Sequence, residues 1–312
     1  MKKSQFLIYL CIVISLLNIF MIFLYVRHRS IPADRQTLPA LSATACTTSS
    51  DIFMPASIDL AGETTPLHRL DVREALKKEL IVNTYLHSHT IQILKNAPRT
   101  FAIIEPILKA NGIPDDFKYL AVIESRLDPL IVSPAGAVGI WQIMKNTAKE
   151  LGLEVNQEID ERYNIEKSTE AAAAYLKKAY NRFGSWTLAA ASYNAGSAML
   201  SKQMGIQKEK DYYNLLLGEE TERYVFRILA LKQIINHPEK YNFNVDILYP
   251  DEPTQKVEVK GKVKNWADFA QEQGITYKTL KRFNPWLRKS DLQNPHHKTY
   301  EVRIPVKKEL YK

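Results

Sequence analysis

The sequence predicts a mostly α-helical protein with a small α+β module near its C-terminus and an N-terminal transmembrane helix. Apolar residues recur at helical spacing from Leu67 onward, and no alternating strand pattern of any length occurs before Asn244. After Asn244, two short alternating stretches flank two helical runs in the order βααβ. The almost uninterrupted apolar run at residues 6–26 is long enough to span a bilayer as a helix. The predicted segments are an anchor at 1–29, a linker at 30–66, a helical domain at 67–245 and the C-terminal module at 246–312.

The N-terminal apolar run is predicted to be an uncleaved signal anchor. Lys2 and Lys3 precede it, and a cleaved signal peptide has a shorter apolar core with a small-residue cleavage site close behind. The sequence Ala43-Thr44-Ala45 fits such a site, but it lies well beyond the end of the run. Release after cleavage is the alternative. Residues 30–66 are rich in Pro, Ser, Thr and Ala and therefore predict a flexible tether.

The helical domain is predicted to consist of helices separated by tight turns. The sequence Asn111-Gly112-Ile113-Pro114 ends one helix and begins the next, with Pro114 near the first turn. Ser168 and Thr169 are expected to cap the N-terminus of a later helix. Further helices are expected at about 145–151, 168–183, 186–194 and 222–236.

Composition narrows the class of partner. The chain has 312 residues and a net charge of +8, much of it from lysines and arginines after Pro250. A basic surface suits an anionic polymer or a membrane, although an ordinary solvated basic face fits the charge equally well. The sequence contains no nucleic-acid-binding motif and no Gly-rich phosphate loop, so nucleic acid is not expected as a partner. Neither Cys11 and Cys46 nor the seven histidines have metal-ligand spacing, and no metal or other cofactor is expected.

Glu124 is the first candidate for chemistry. It lies near the end of the otherwise apolar helical run at residues 117–126. A carboxyl group in apolar surroundings resists ionisation, so its pKa rises. Such a group can protonate the leaving oxygen of a sugar. Taken alone, Glu124 fits an ordinary exposed helix residue better, and the sequence that follows it changes this interpretation.

Three further blocks of sequence follow Glu124 in order, at residues 133–144, 189–196 and 220–225. They contain Gly139-Ile140-Trp141-Gln142 and Tyr193-Asn194-Ala195-Gly196, and the last block includes Tyr224. Together these blocks resemble the catalytic domain of lytic murein transglycosylases, and in particular the membrane-bound type D enzymes, which are kin of goose-type lysozyme. The resemblance runs from Leu70 to Phe243. It implies a lysozyme-like fold, peptidoglycan as the substrate, and an enzyme of the inner membrane that faces the periplasm.

The resemblance also implies a role for each motif residue. Glu124 would be the single general acid and base that cleaves the MurNAc-β-1,4-GlcNAc bond and leaves 1,6-anhydro-MurNAc ends. The positions that contact substrate in the family fall on Ser133, Gln142, Tyr193, Asn194 and Tyr224. From the residues alone, Ser133 could instead cap the turn at Pro134, and Asn194 could simply end a helix before Gly196.

Other motif residues have more general interpretations. Gly136 and Gly139 allow either close approach of the backbone or a tight turn. An amide such as that of Gln142 donates and accepts hydrogen bonds at once, which suits acetamido sugars. Trp141 is expected to be a core or cleft-wall aromatic. By the resemblance, Glu220 would support the network around the catalytic carboxyl group.

Two rival functions remain open from the sequence. If Asp128 or Asp160 reached the opposite side of the glycosidic bond, the same fold could act as a hydrolytic lysozyme. The other rival is a non-catalytic scaffold that only binds peptidoglycan. The apolar surroundings predicted for Glu124 argue against the scaffold, because a binding module has no need of a buried acid.

The tail resembles a LysM carbohydrate-binding module. The resemblance rests on the block that begins at Trp266, on residues 280–287 and on residues 302–305, with strands expected at 256–259 and 300–305. The Gly-Asp-Thr turn that is usual in the family is replaced by the sequence at residues 261–265. Because that turn helps to form the sugar groove, the sequence predicts the fold of the module but leaves its glycan binding open.

Overall fold

The computed structural model of the protein describes residues 51–245 and 248–311. The predicted transmembrane helix, its cleavage alternative and the first part of the predicted linker lie outside the described residues. Among the helices that are described, none combines the length and the apolar character needed to cross a membrane.

The part of the structure between residues 51 and 245 is mostly helical. Its α-helices are α1 Leu70–Tyr85, α2 His87–Ala110, α3 Lys118–Ser125, α4 Lys145–Glu150, α5 Ile165–Phe183, α6 Trp186–Ala195, α7 Ser197–Gln207 and α8 Glu219–Asn236. Single-turn 3-10 helices occupy Asp115–Phe117, Glu161–Tyr163, Tyr212–Asn214 and Pro238–Tyr241. The helices predicted at 145–151 and 186–194 are therefore confirmed to within a residue.

Helix α8 is the centre of this helical part. It packs against α1, α3 and α6, and α5 packs against α2 and α6. The buried residues of α8 recur at helical spacing, and Val225, Ile228 and Leu229 are fully buried. Burial of each such side chain contributes about 1.5–3 kcal/mol to the free energy of unfolding. The functional consequence is that Tyr224, on the same helix, is held in a fixed position inside the domain.

Two helices begin earlier than the sequence predicts. Helix α5 begins at Ile165 because Asn164 is its N-cap, and the side-chain oxygen of Asn164 accepts a hydrogen bond from the backbone N–H of Lys167 (3.1 Å). Ser168 and Thr169 were expected to be the cap, and this prediction is wrong. Both hydroxyls lie inside the helix and donate to backbone carbonyls of the preceding turn. Helix α8 begins at Glu219, three residues before the predicted start, with acidic side chains in its first turn.

Residues 51–66 were predicted to belong to the flexible tether, and here the structure differs. Strands β1 (Asp59–Leu60) and β2 (Glu63–Thr64) form a short antiparallel hairpin, and Leu60 is fully buried in the main core. The Glu63 carboxylate accepts hydrogen bonds from the backbone N–H groups of Trp186 (2.5 Å) and Thr187 (2.9 Å), and from two hydroxyls. The hairpin therefore caps the N-terminus of α6, where a negative charge is favourable.

The C-terminal module has the predicted βααβ order. Strands β3 (Thr254–Lys260) and β4 (Thr299–Pro305) pair antiparallel, and helices α9 (Trp266–Glu272) and α10 (Tyr277–Phe283) lie between them in the chain. A final 3-10 helix covers Lys308–Tyr311. The buried side chains of the module include Trp266, Leu280, Val302 and Ile304. In the turn that departs from the family pattern, Asn265 caps α9 by accepting a hydrogen bond from the N–H of Ala267 (2.8 Å).

Candidate active site

Glu124 lies in the last turn of the short helix α3. The residues before it, from Tyr119 to Val122, are buried and fix the helix against the core, whereas Glu124 is only partly buried. The helix ends at Arg126, which has a left-handed backbone conformation (φ 56°). The fully buried neighbour Ser125 accepts a hydrogen bond from the N–H of Leu127 (3.1 Å) and lies within 2.9 Å of the carbonyl oxygen of Ile140. The carboxyl group therefore projects from a helix end that is fixed on both sides.

Tyr224 of α8 is the hydrogen-bond partner of Glu124. Its hydroxyl donates to Oε1 of Glu124, and the tyrosine side chain is buried. Burial raises the pKa of Tyr224 well above its ordinary value, and the charge of Glu124 adds to this effect. The phenol therefore keeps its proton and remains a donor throughout the neutral pH range.

The electrostatic environment keeps the carboxyl group of Glu124 protonated up to near-neutral pH. Burial raises the pKa of Glu124 to about 7; the hydrogen bond from Tyr224 opposes this, the negative charge of Glu220 adds to it, and the charge of Arg227 opposes it. Glu220 and Arg227 lie on α8, four residues before and three residues after Tyr224, and therefore on the same side of the helix. A carboxyl group with this pKa can act both as a proton donor and, after it has lost the proton, as a base.

We expect the Tyr224→Phe variant to shift the alkaline limb of the pH–rate profile to higher pH. The hydrogen bond from Tyr224 lowers the pKa of Glu124, so its removal raises that pKa further above 7 and the acid form persists to higher pH. The variant also loses the hydrogen bond from the Tyr224 hydroxyl to the ionised carboxylate of Glu124, and we expect this loss to reduce kcat roughly tenfold. The measurement is kcat/KM for a soluble glycan as a function of pH, with Tyr85→Phe, an exposed tyrosine on α1, as the control. An alkaline limb that stays in place or moves to lower pH would contradict the assignment.

Ser133 and Gln142 lie on the loop that follows α3. The Ser133 hydroxyl accepts a hydrogen bond from the N–H of Ala137 (3.0 Å), which is the turn-capping role that the sequence left as its alternative. Gln142 has a left-handed backbone (φ 46°), and its side-chain N–H group donates to the carbonyl oxygen of Gly139 (2.8 Å). Both side chains therefore stabilise the shape of this loop, and any contact with sugar would come in addition.

Gly139 and Trp141 fix the loop against the core. Gly139 has φ 79°, and a Cβ atom at this position would lie 2.1 Å from the carbonyl oxygen of Arg162. The backbone can approach so closely only because glycine has no side chain. Trp141 is fully buried, and its indole N–H donates to the hydroxyl of Thr169 (2.8 Å). Trp141 was expected to lie either in the core or in the cleft wall, and the structure places it in the core.

Tyr193 and Asn194 come from the end of α6. The Tyr193 hydroxyl donates to the backbone carbonyl oxygen of Trp141 (2.8 Å). Burial raises the pKa of Tyr193 well above its ordinary value, and the charge of Glu124 contributes, which places the two side chains in one electrostatic cluster. The side-chain oxygen of Asn194 accepts a hydrogen bond from the hydroxyl of Thr221 (2.8 Å) and so connects α6 to α8. The helix itself ends at Ala195, one residue later.

The two acids considered for a hydrolytic mechanism are both engaged in local contacts. Asp128 accepts a hydrogen bond from the N–H of Leu130 (2.9 Å), as its position before a proline predicted for a turn. Asp160 is buried and binds the guanidinium group of Arg162 through both carboxylate oxygens (2.9 and 2.8 Å). Asp160 is therefore held in a buried ion pair, whereas Asp128 is exposed and holds its turn through one carboxylate oxygen.

Sequence reasoning did not identify Ser125, Arg162 or Arg227 as part of this site. Arg162 connects the loop that carries Gln142 to Asp160, and Arg227 acts on the charge of Glu124. For Arg162 the sequence carries no local signal of burial, because a single arginine in a one-turn 3-10 helix belongs to no periodic apolar pattern. The position of Arg227 could have been inferred from the sequence, because a residue three positions after Tyr224 lies on the same face of the helix.

Comparison with known protein families shows which domains the chain contains. Residues 101–216 match the family model of the Transglycosylase SLT domain, and residues 255–308 match that of the Soluble lytic transglycosylase C-terminal LysM-like domain. The chain therefore carries an SLT domain followed by a LysM-like domain, and both resemblances seen in the sequence are confirmed.

The chain is homologous to membrane-bound lytic murein transglycosylase D of Escherichia coli (strain K12). The two are 31% identical over 226 residues, which cover 71% of this chain and 49% of that protein. Peptidoglycan transglycosylase gp16 of Escherichia phage T7 is 33% identical over 140 residues, or 43% of this chain and 10% of the phage protein. The crystal structure of the 70 kDa soluble lytic transglycosylase of Escherichia coli aligns with a TM-score of 0.38 at 23% identity, over 44% of this chain and 24% of that chain. The chain thus spans about half the length, or less, of these relatives.

Proposed function

We propose that the protein is a peptidoglycan lytic transglycosylase that cleaves the MurNAc-β-1,4-GlcNAc bond. One observation carries the proposal: the carboxyl group of Glu124, whose pKa burial raises to about 7, accepts a hydrogen bond from the hydroxyl of the buried Tyr224. The buried ion pair that Asp160 forms with Arg162 favours a mechanism with one catalytic carboxyl group. The names of the homologous relatives are consistent with this activity.

The reaction needs one group that gives and then takes a proton. In the first step, Glu124 donates its proton to the glycosidic oxygen, the bond from that oxygen to C1 of the muramyl residue breaks, and positive charge develops at C1. In the second step, the C6 hydroxyl of the same sugar bonds to C1 and transfers its proton to Glu124. The 1,6-anhydro product forms and the starting protonation state returns. The nucleophile belongs to the substrate, so proximity takes the place of a second carboxylate.

We assign substrate contacts to Ser133, Gln142, Tyr193, Asn194 and Tyr224. Tyr224 is supported most directly, because its hydroxyl already contacts Glu124. The loop that carries Ser133 and Gln142 adjoins Glu124 through the contact between Ser125 and Ile140. For these two residues and for Asn194, contact with sugar would come in addition to the internal hydrogen bonds that they form.

Product analysis tests the proposal. Purified protein is incubated with peptidoglycan sacculi, and the soluble fragments are analysed by mass spectrometry. We expect 1,6-anhydro ends, which are lighter by one water than hydrolytic products. Reducing ends would show a hydrolase of the same fold, and the absence of any fragments would favour the non-catalytic scaffold.

We further propose that the protein is anchored in the inner membrane with its catalytic domain in the periplasm. The apolar run at residues 6–26 and the location of the substrate outside the cytoplasm support this orientation. The test is a periplasm-active reporter fused after the last residue, combined with carbonate extraction of membranes. Activity only from a cytoplasm-active reporter would overturn the orientation. Complete release with a new N-terminus near Cys46 would show that the segment is cleaved.

A further inference from the structure

The LysM-like module is joined to the helical domain by backbone hydrogen bonds. The N–H of Asp160 donates to the carbonyl oxygen of Trp286 (2.9 Å), and the N–H of Arg288 donates to the carbonyl oxygen of Glu158 (2.7 Å). Between these two bonds, Ile159 forms an antiparallel bridge with Leu287. The two segments therefore pair like short strands, and loss of this pairing would leave polar groups of a partly buried backbone without partners.

The hydrophobic core of the module also includes residues of the helical domain. Ile159, Tyr163 and Val138 belong to the same buried cluster as Trp286 and Leu287. The Arg288 guanidinium lies over the Tyr163 ring, 4.0 Å from its centre, at a distance typical of a cation–π contact. An independent binding module on a tether would not bury its core residues against the catalytic domain.

The segment of the helical domain that pairs with the module, residues 158–162, also holds the loop that adjoins Glu124. Asp160, whose backbone pairs with the module, binds Arg162 through both carboxylate oxygens, and both side chains are buried. One terminal nitrogen of Arg162 donates to the carbonyl oxygens of Gly136 (3.1 Å) and Ile143 (3.2 Å), which flank residues 139–142 of the loop in sequence. These charge-assisted bonds hold both sides of that stretch.

The loop in turn contacts the catalytic centre at two backbone atoms. The carbonyl oxygen of Ile140 is 2.9 Å from the hydroxyl of Ser125, the residue after Glu124. The carbonyl oxygen of Trp141 accepts the hydrogen bond of Tyr193. A continuous series of contacts therefore leads from the module, through Asp160 and Arg162, to the loop and then to Glu124.

We propose that the C-terminal module braces the active-site loop, and that Asp160 and Arg162 are positioning residues through which it acts. The module then contributes to turnover itself and not only to retention on the polymer. This inference rests on the proposed transglycosylase function. It makes a distinct prediction, since it concerns cleavage of glycans that are too short to engage a separate binding module.

The test compares kcat and KM on a soluble glycan oligomer of a few disaccharide repeats for three variants. Arg162→Lys keeps the charge but loses the fork that binds Asp160 and the loop. Leu287→Ala weakens the packing at the junction. Arg288→Ala removes the contact with Tyr163 across the junction and, within the module, the hydrogen bond to the carbonyl oxygen of Pro285. We expect kcat to fall about tenfold or more for Arg162→Lys, because small displacements of a catalytic group cost large factors in rate. A smaller fall in kcat is expected for the two junction variants, and KM should change little.

Two matched controls carry the same chemical changes at exposed positions. Arg182→Lys lies near the end of α5, and Leu310→Ala lies in the exposed 3-10 helix of the module. Both should keep the kcat of the wild type. Circular dichroism at the assay temperature establishes which variants are folded, and Arg288→Ala, which leaves all backbone pairing intact, is the mildest of the three.

The outcomes separate this inference from the proposed function. If the wild type and Glu124→Gln release the same amount of product, the proposed function fails. If the wild type is active and every folded variant keeps its kcat on the soluble oligomer, the bracing role is overturned. It is also overturned if the variants lose only their retention on sacculi, since the module would then act solely in binding.

Discussion

Replacement of Glu124 by glutamine is expected to reduce murein cleavage by a factor at or beyond the upper end of about 10²–10⁴, the range typical of a general acid or base. The amide preserves the shape of the side chain and its contact with Tyr224 but cannot give up or accept the proton. In the proposed mechanism one carboxyl group serves both steps, so its loss would affect protonation of the leaving oxygen and activation of the C6 hydroxyl alike. The measurement is the rate of release of soluble fragments from purified sacculi.

The matched control for this variant is Glu150→Gln, the same change at an exposed position of α4. It should retain the activity of the wild type. If Glu124→Gln kept more than about a tenth of wild-type cleavage, a residue other than Glu124 would have to supply the proton.

The same variant should not be less stable than the wild type at alkaline pH. The pKa of Glu124 is raised in the folded state, so the folded protein binds the proton more tightly than the unfolded chain does. The stability of the wild type therefore falls as the pH rises from about 4.5 to above 7, while the neutral amide has no such dependence. Thermal unfolding at pH 5 and pH 9 would show this difference. A variant that unfolds at a lower temperature than the wild type at pH 9 would indicate a structural role for the carboxylate.

The helices could be predicted from the sequence because their information is local. The spacing of apolar residues and the turn residues set the positions of α4 and α6 closely. The hairpin at residues 59–64 could not be predicted in this way. Its stability depends on burial of Leu60 in the main core and on the contact of Glu63 with the start of α6, more than 120 residues away in the chain. Composition alone therefore predicted a flexible tether here, because it does not show that a few side chains of the segment have specific partners far away in the chain.

The candidate site shows the same division between local and distant information. Glu124 stands out in the sequence as a carboxyl group in an apolar run, and Tyr224 was identified by resemblance. The contacts of Ser133 and Gln142 within their loop, and the buried pair of Asp160 and Arg162, depend on which segments meet in three dimensions. For the same reason, the sequence described the tail as a separate module, whereas its core is completed by residues of the helical domain.

Two backbone segments approach each other closely at Gly139, and a substitution there is expected to destabilise the protein strongly. We expect Gly139→Ala to lower the free energy of unfolding by about 2–6 kcal/mol, since overpacking and backbone strain each cost roughly 1–3 kcal/mol. The added Cβ would lie 2.1 Å from the carbonyl oxygen of Arg162, at a residue whose φ of 79° already disfavours a side chain. Because the obstacle is backbone and not a flexible side chain, the loop itself must move, and activity should fall together with stability.

Gly136→Ala is the control for this prediction. It lies in the same loop with a similar backbone angle (φ 85°), but a Cβ atom there would meet no atom within 4 Å. Only the cost of a positive φ remains, about 1 kcal/mol. Urea unfolding of the two variants separates close packing from conformational preference, because both changes add the same methyl group to the same loop. Equal destabilisation would mean that Gly139 is required only for its backbone angle, and that the contact with Arg162 does not hold the loop in place.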